Sequence, residues 1–150
     1  MKKKVLYIDM DNVLVDFESS FVHLSSQTLS EYEGRLDEVP NIFSMMQAMP
    51  DAIASFHSLS ALFDTYLLST APWQNASAWS DKLNWVKQHL GEAANRRLIL
   101  SHHKNLNVGH FLIDDRLKNG TDRFQGEHLH FGTDQFPDWA SVLCYLRRNV

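Results

Sequence analysis

Near the start of the chain a short apolar run, Val5 to Ile8, stops abruptly at Asp9-Met10-Asp11-Asn12-Val13. An uninterrupted run of β-forming residues, with no polar alternation, reads as a strand buried on both faces, and such strands belong to parallel sheets covered by helices. Similar runs recur at Thr65 to Leu68, Leu98 to Leu100 and Phe111 to Ile113, and Glu127 to Phe131 is a weaker edge candidate. Helical patterns lie between them. Ile53, Phe56 and Phe63 follow Pro50; Leu83, Val86 and Leu90 are closed by Gly91; Trp139, Val142, Leu143 and Leu146 follow Pro137. The alternation predicts an α/β fold, a Rossmann-like three-layer α/β/α arrangement around a parallel sheet.

One stretch is too long for that alternation. About fifty-five residues separate the first strand from the second, whereas a crossover needs only about a dozen. Phe17, Phe21 and Leu24 begin a helical pattern, Pro40 breaks the chain, and Ile42 to Met49 is apolar and rich in methionine. We expect a small helical cap over residues 17–62, inserted after strand 1 within a single domain spanning 1–150. A chain of 150 residues has room for one core and a modest insertion.

Composition narrows the partners. Net charge is −4, with no basic run beyond Lys2 to Lys4, so the footprint of a protein that coats polymeric nucleic acid is missing. No segment is apolar for long enough to span a membrane, and the run after the lysines is too short for an export signal. These readings predict a soluble, cytoplasmic protein. Cys144 is the only cysteine and falls within an apolar helical pattern, which predicts a buried thiol. In a protein of this charge, a small anionic ligand needs local positive charge, such as a metal.

The chemistry is concentrated at the strand ends, where open α/β sheets bind ligands. Two aspartates two residues apart can divide one reaction: Asp9 as nucleophile and metal ligand, Asp11 as proton donor and then acceptor. Aspartate and asparagine also favour turns and helix caps, so the motif alone leaves both uses open. Asp114-Asp115 follows the run Phe111-Leu112-Ile113 in the same way. Carboxylates crowded on one rim oppose each other's ionisation unless a cation joins them, and hard oxygen ligands favour magnesium over zinc. Ser69 and Thr70 end the second strand with hydroxyls, and Lys104 follows the third, where a cation offsets charge developing at phosphorus. His102, His103, His110, His128 and His130 match no helical two-histidine metal motif and read as solvated or satisfied side chains. Trp73, Trp79, Trp85 and Trp139 read as core, and Asp16 as a capping or surface carboxylate.

Taken together, these residues resemble the four motifs of haloacid-dehalogenase-like (HAD) phosphatases. More narrowly, Asp9 to Phe17, Thr70-Ala71-Pro72, Trp85-Val86 and Leu112 to Arg116 are similar to the 5'(3')-deoxyribonucleotidase family, over nearly the whole chain from Val5 to Leu146. That resemblance implies hydrolysis of a small phosphomonoester, a deoxyribonucleoside monophosphate, through a phosphoaspartyl intermediate on Asp9 with Asp11 as general acid and then base. It implies magnesium held by Asp9, the Asp11 main-chain carbonyl and the Asp114-Asp115 pair, Asp115 being the preferred ligand. Thr70, with Ser69 as a substitute, takes the hydroxyl position and Lys104 the lysine. Cap aromatics stack on the base in that family, and Phe17, Ile42 and Phe43 occupy the matching stretches. Ile42 stands where an aromatic is usual and Asn12 where glycine is common, so another small phosphate, such as a sugar phosphate or a phosphorylated cofactor, is the alternative substrate. A non-catalytic metal- or partner-binding module of the same fold is the alternative in kind.

Overall fold

In the computed structural model, which describes residues 2–150, the apolar runs form one all-parallel sheet of five strands. In chain order the strands are β1 (Val5–Ile8), β2 (Val15–Asp16), β3 (Gln47–Ala48), β4 (Asp64–Ser69), β5 (Leu98–Leu100), β6 (Phe111–Asp114) and β7 (Glu127–His130). The α-helices are α1 (Ser26–Glu31), α2 (Ala52–Leu62), α3 (Ala76–Leu90) and α4 (Trp139–Arg147). The main sheet runs β5-β4-β1-β6-β7, while β2 and β3 form a separate antiparallel ribbon. The chain therefore works outward from β1 through β4 to β5, then returns to the other side of β1 and continues to β7. This reversal between β1 and β6 creates the crevice that such sheets use for ligands. Ile8 pairs with Leu67 on one side and Ile113 on the other, so Asp9 and Asp114 follow at the same level while β4 runs on to Ser69.

Side-chain alternation along the strands separates the two faces. Leu6, Ile8, Leu67, Ile113 and Leu129 face a large core with Phe56 and Leu59 of α2, Trp85 and Val86 of α3, and Trp139, Val142 and Leu146 of α4. Tyr7, Leu68 and Leu112 face the other way, against Phe124, whose ring meets Tyr7 edge-on at 5.9 Å. The second outer layer is thin, built from short 3-10 turns at Lys104–Leu106 and Thr121–Arg123 rather than long helices.

The stretch 17–62 holds two kinds of structure. Between the ribbon strands lie 3-10 turns at Phe17–His23, Leu36–Glu38 and Ile42–Ser44, together with α1, whose Ser25 cap accepts from the Thr28 amide at 3.1 Å. Helix α2 packs instead on β4, α3 and α4, with the elements that cover the sheet.

Two burial expectations need correction. Cys144 is exposed. Helix α4 turns Trp139, Val142 and Leu146 inward, and a residue two beyond Val142 lies about 200° round the helix, on the solvent side. Trp85 and Trp139 fill the core, but Trp73 is 77% exposed and Trp79 is at the surface as well. Trp73 belongs to the loop between β4 and α3, where no helical stripe turns it inward.

Candidate active site

The loop after β1 is held by its own backbone. The Met10 carbonyl accepts from the amides of Val13, Leu14 and Val15, and the Asp9 amide donates to Ile113 on β6 at 2.9 Å. Asn12 takes a left-handed conformation, φ 60°, which explains why asparagine can stand where glycine is common: its short polar side chain tolerates that region. From the core, the Trp139 indole N–H donates to the Val13 carbonyl at 2.8 Å. The two aspartates therefore emerge from a fixed turn.

Asp9, Asp114 and Asp115 each bring a carboxylate oxygen within 4.8 Å of the others. Lys104, 3% exposed, donates to Asp9 Oδ1 at 3.0 Å and to Asp114 Oδ2 at 2.6 Å. Both Asp114 oxygens are engaged, because Oδ2 also takes the Thr121 hydroxyl at 3.0 Å and Oδ1 takes the Arg116 amide at 3.0 Å. Asp115 differs: its Oδ1 is buried with no hydrogen-bond partner. Burial, reinforced by the charges of Asp9 and Asp114, pushes its carboxyl up to about 7. Burial and the Asp9 charge also raise Asp114, against the pull of Lys104. For Lys104 burial works downward, but the two carboxylates outweigh it and hold the ammonium above its usual range. His128 and His130 brace the acidic pair from behind, each donating from Nε2 at 2.9 Å to the carbonyls of Asp114 and Asp115 respectively. A carbonyl can only accept, so both imidazoles are satisfied as donors.

The Asp11 side chain turns away from this cluster towards a residue that the sequence reading missed. Lys82, 1% exposed, donates to Asp11 Oδ2 at 3.0 Å and to Ser69 Oγ at 2.8 Å, and its ammonium lies 4.5 Å from the centre of the Phe43 ring. The second Asp11 oxygen, Oδ1, has no partner. Burial raises the Asp11 carboxyl, with the Lys82 charge opposing and Asp9 adding to the rise. A signal for Lys82 was present: Ala78, Lys82, Trp85, Val86 and Leu90 form the inward face of α3, so a lysine interrupts an apolar stripe. A lysine almost never occupies such a position unpaired.

The remaining expected site residues divide between rim and interior. Thr70 is half-buried on the rim, its hydroxyl donating to the Ser101 carbonyl at 2.7 Å. Ser69 is fully buried and meets Lys82, not solvent. Phe17 is half-buried and faces a cleft of about 670 Å³ bordered also by Asp11, Thr70, Trp73, His102 and Arg116. Ile42 and Phe43 do not reach that cleft. Ile42 is fully buried and Phe43 is 3% exposed, because the 3-10 turn that carries them packs against α3. The exposed ring on the rim is Trp73.

Comparison with known proteins agrees with this geometry. A family profile described as "5' nucleotidase, deoxy (Pyrimidine), cytosolic type C protein" matches residues 35–136. A protein of Vibrio phage KVP40, provisionally named 5'(3')-deoxyribonucleotidase, is 60% identical over 144 residues, which is 96% of this chain and 85% of that protein. Among solved structures, a haloacid dehalogenase-like family hydrolase from Xanthomonas campestris superposes with a TM-score of 0.63 at 9% identity, covering 98% of this chain and 96% of the other. Bacillus subtilis YfnB, a provisionally named HAD-hydrolase solved with magnesium bound, gives 0.59 at 14% identity, covering 92% and 90%. At those identities the two structures speak for the fold alone.

Proposed function

The chain belongs to the cytosolic type C 5' nucleotidase, deoxy (pyrimidine) family of HAD-type phosphatases, and from that membership we propose that it dephosphorylates deoxyribonucleoside monophosphates, with magnesium, through a phosphoaspartyl intermediate on Asp9. The observation that carries this reading is the meeting of Asp9, Asp114, Asp115 and Lys104 at the level ends of β1 and β6, with Asp11 beside them.

In the first step an Asp9 carboxylate oxygen attacks phosphorus in line. The bond from phosphorus to the sugar oxygen breaks with its electron pair, and the Asp11 carboxyl gives its proton to that oxygen. In the second step the Asp11 carboxylate takes a proton from water as the water oxygen attacks phosphorus, and the acyl-phosphate bond breaks to return Asp9 and inorganic phosphate. Lys104 offsets charge on the phosphoryl oxygens throughout. Thr70, on the rim, would help position the phosphoryl group by turning its hydroxyl from the Ser101 carbonyl to a phosphoryl oxygen. The donor set suits magnesium: all-oxygen, hard and anionic, with one buried Asp115 oxygen that nothing in the protein satisfies. Asp9, the Asp11 main-chain carbonyl and Asp115 would hold the ion directly, and Asp114, with both oxygens engaged, would orient Lys104. When bound, magnesium supplies charge neutralisation and alignment for the phosphoryl group.

For the base, Phe17 and the exposed Trp73 border the same cleft, whereas the buried Ile42 and Phe43 offer no surface. That scarcity of cap aromatics favours the second reading, the same chemistry on another small phosphate. The cytosolic description of the family supports a cytoplasmic location, and among the described residues no helix is long and apolar enough to cross a membrane. Assay of deoxyribonucleotides, ribonucleotides, sugar phosphates and p-nitrophenyl phosphate, with magnesium and with chelator, tests the proposal. Magnesium-dependent release of phosphate, fastest from deoxyribonucleotides, is expected. Equal or faster turnover of sugar phosphates would favour the second reading, and release from no monoester would leave a binding module.

A further inference from the structure

A buried lysine on the apolar face of a helix needs a reason, because its charge is costly away from water unless fully paired. The partners of Lys82 come from three separate parts of the chain: Asp11 from the loop after β1, Ser69 from the end of β4, and Phe43 from the insertion. Its own helix is firmly tied to that insertion. The Asn75 side-chain amide donates to the carbonyls of Asp37 and Val39 at 2.9 and 3.0 Å, the Asn41 amide donates to Ser77 Oγ at 2.9 Å, and the Trp85 indole donates to the Met46 carbonyl at 3.0 Å. Lys82 is thus held at its base by α3, from the side by Ser69, and beneath by an aromatic ring whose negative face attracts a cation.

The arrangement divides the Asp11 carboxylate. Oδ2 is fixed by the ammonium at 3.0 Å, and Oδ1 is buried with no protein partner. We propose that Lys82 is a positioning residue that clamps one Asp11 oxygen so that the other is held towards the leaving-group oxygen of the substrate. This rests on the phosphatase reading above and adds to it a residue that never touches the substrate, and a mechanical link from the insertion to the proton-transfer group through Phe43.

The expected signature is selective. A substrate whose leaving group is a sugar alkoxide needs a proton as the phosphorus–oxygen bond breaks, whereas p-nitrophenolate leaves readily without one. The kcat/KM for each reports the steps up to formation of the phosphoenzyme. Lys82→Met, similar in length and uncharged, should lower kcat/KM for a deoxyribonucleoside monophosphate by roughly 10²-fold or more, within the range of general-acid contributions. For p-nitrophenyl phosphate the fall should be less than about tenfold. A loss of fold or of phosphate binding would depress both substrates together, so equal losses, or none, would overturn the proposal. Should Lys82→Met fail to fold, Phe43→Leu keeps apolar bulk and removes the ring under the ammonium; it should show the same selectivity at smaller amplitude, and uniform behaviour there would overturn the proposal equally. A wild-type protein that hydrolyses other alkyl monoesters but not deoxyribonucleotides would reject the nucleotide substrate alone, with the Lys82 comparison then made on the alkyl ester. A wild-type protein inactive on every monoester would reject both.

Discussion

Two lysines are buried at the carboxyl edge of the sheet, and their surroundings differ. Lys104 sits on a 3-10 turn between two carboxylates, Asp9 and Asp114, in a pocket of dense negative charge. Lys82 sits on a long helix with one carboxylate, one hydroxyl and one aromatic ring, in the wall between sheet and insertion. In the proposed mechanism the first would neutralise charge where phosphorus reacts, and the second would fix the direction of a proton donor. The same side chain would then serve electrostatics in one place and geometry in the other, according to its partners.

Substitutions separate the two sites. The largest effect is expected at Asp9, the proposed nucleophile next to Lys104: Asp9→Asn should lower kcat by roughly 10⁴-fold or more on every monoester, measured by phosphate release. Next, Lys104→Met should reduce kcat/KM by about 10²- to 10³-fold on nucleotides and p-nitrophenyl phosphate alike, since the charge it offsets forms with any leaving group. A leaving-group-selective loss at Lys104 would erase the distinction between the two lysines. At the cleft, Phe17→Ala or Trp73→Ala should raise KM for nucleotides about tenfold, as loss of a stacking surface does, and leave that for p-nitrophenyl phosphate little changed.

The acidic pocket also predicts a pH dependence, of the same sign as that expected from the burial-raised Asp11 beside Lys82. Asp115 has its folded carboxyl pushed up to about 7 from an ordinary 3.8. A raised carboxyl contributes stability that is complete below its unfolded value and is lost as pH rises through the folded value. Metal-free protein should therefore melt at progressively lower temperature between about pH 4 and pH 7, and magnesium should restore more at the upper end, where the carboxylates are ionised. Calorimetry with and without the ion checks this, and a magnesium effect independent of pH would contradict it. Smallest of all, Cys144→Ser on the solvent face of α4 should change stability by no more than about 0.5 kcal/mol by denaturant titration.

These regions were unequally legible in the sequence. The Lys104 pocket could be read because its carboxylates directly follow apolar runs, and a parallel sheet delivers such positions to one edge. The Lys82 contacts could not, because Asp11 lies 71 residues away and Ser69 thirteen, joined only by the packing of α3 on the sheet. The insertion was visible as surplus length, but not in form: its 3-10 turns lack the 3.6-residue period that marks helices, so nothing showed that Ile42 and Phe43 would turn inward. Cys144 and Trp73 were misread for a related reason, since an apolar neighbourhood in sequence does not say which side of a helix or loop a residue faces.

If Asp9 carries the phosphoryl group between substrate and water, the phosphoenzyme can be trapped. Protein turning over a radiophosphorus-labelled deoxyribonucleoside monophosphate with magnesium, quenched in acid and digested, should carry label on the peptide containing Asp9, labile to hydroxylamine and absent from Asp9→Asn. Steady turnover with no label on the protein, or label on any other residue, would contradict the account.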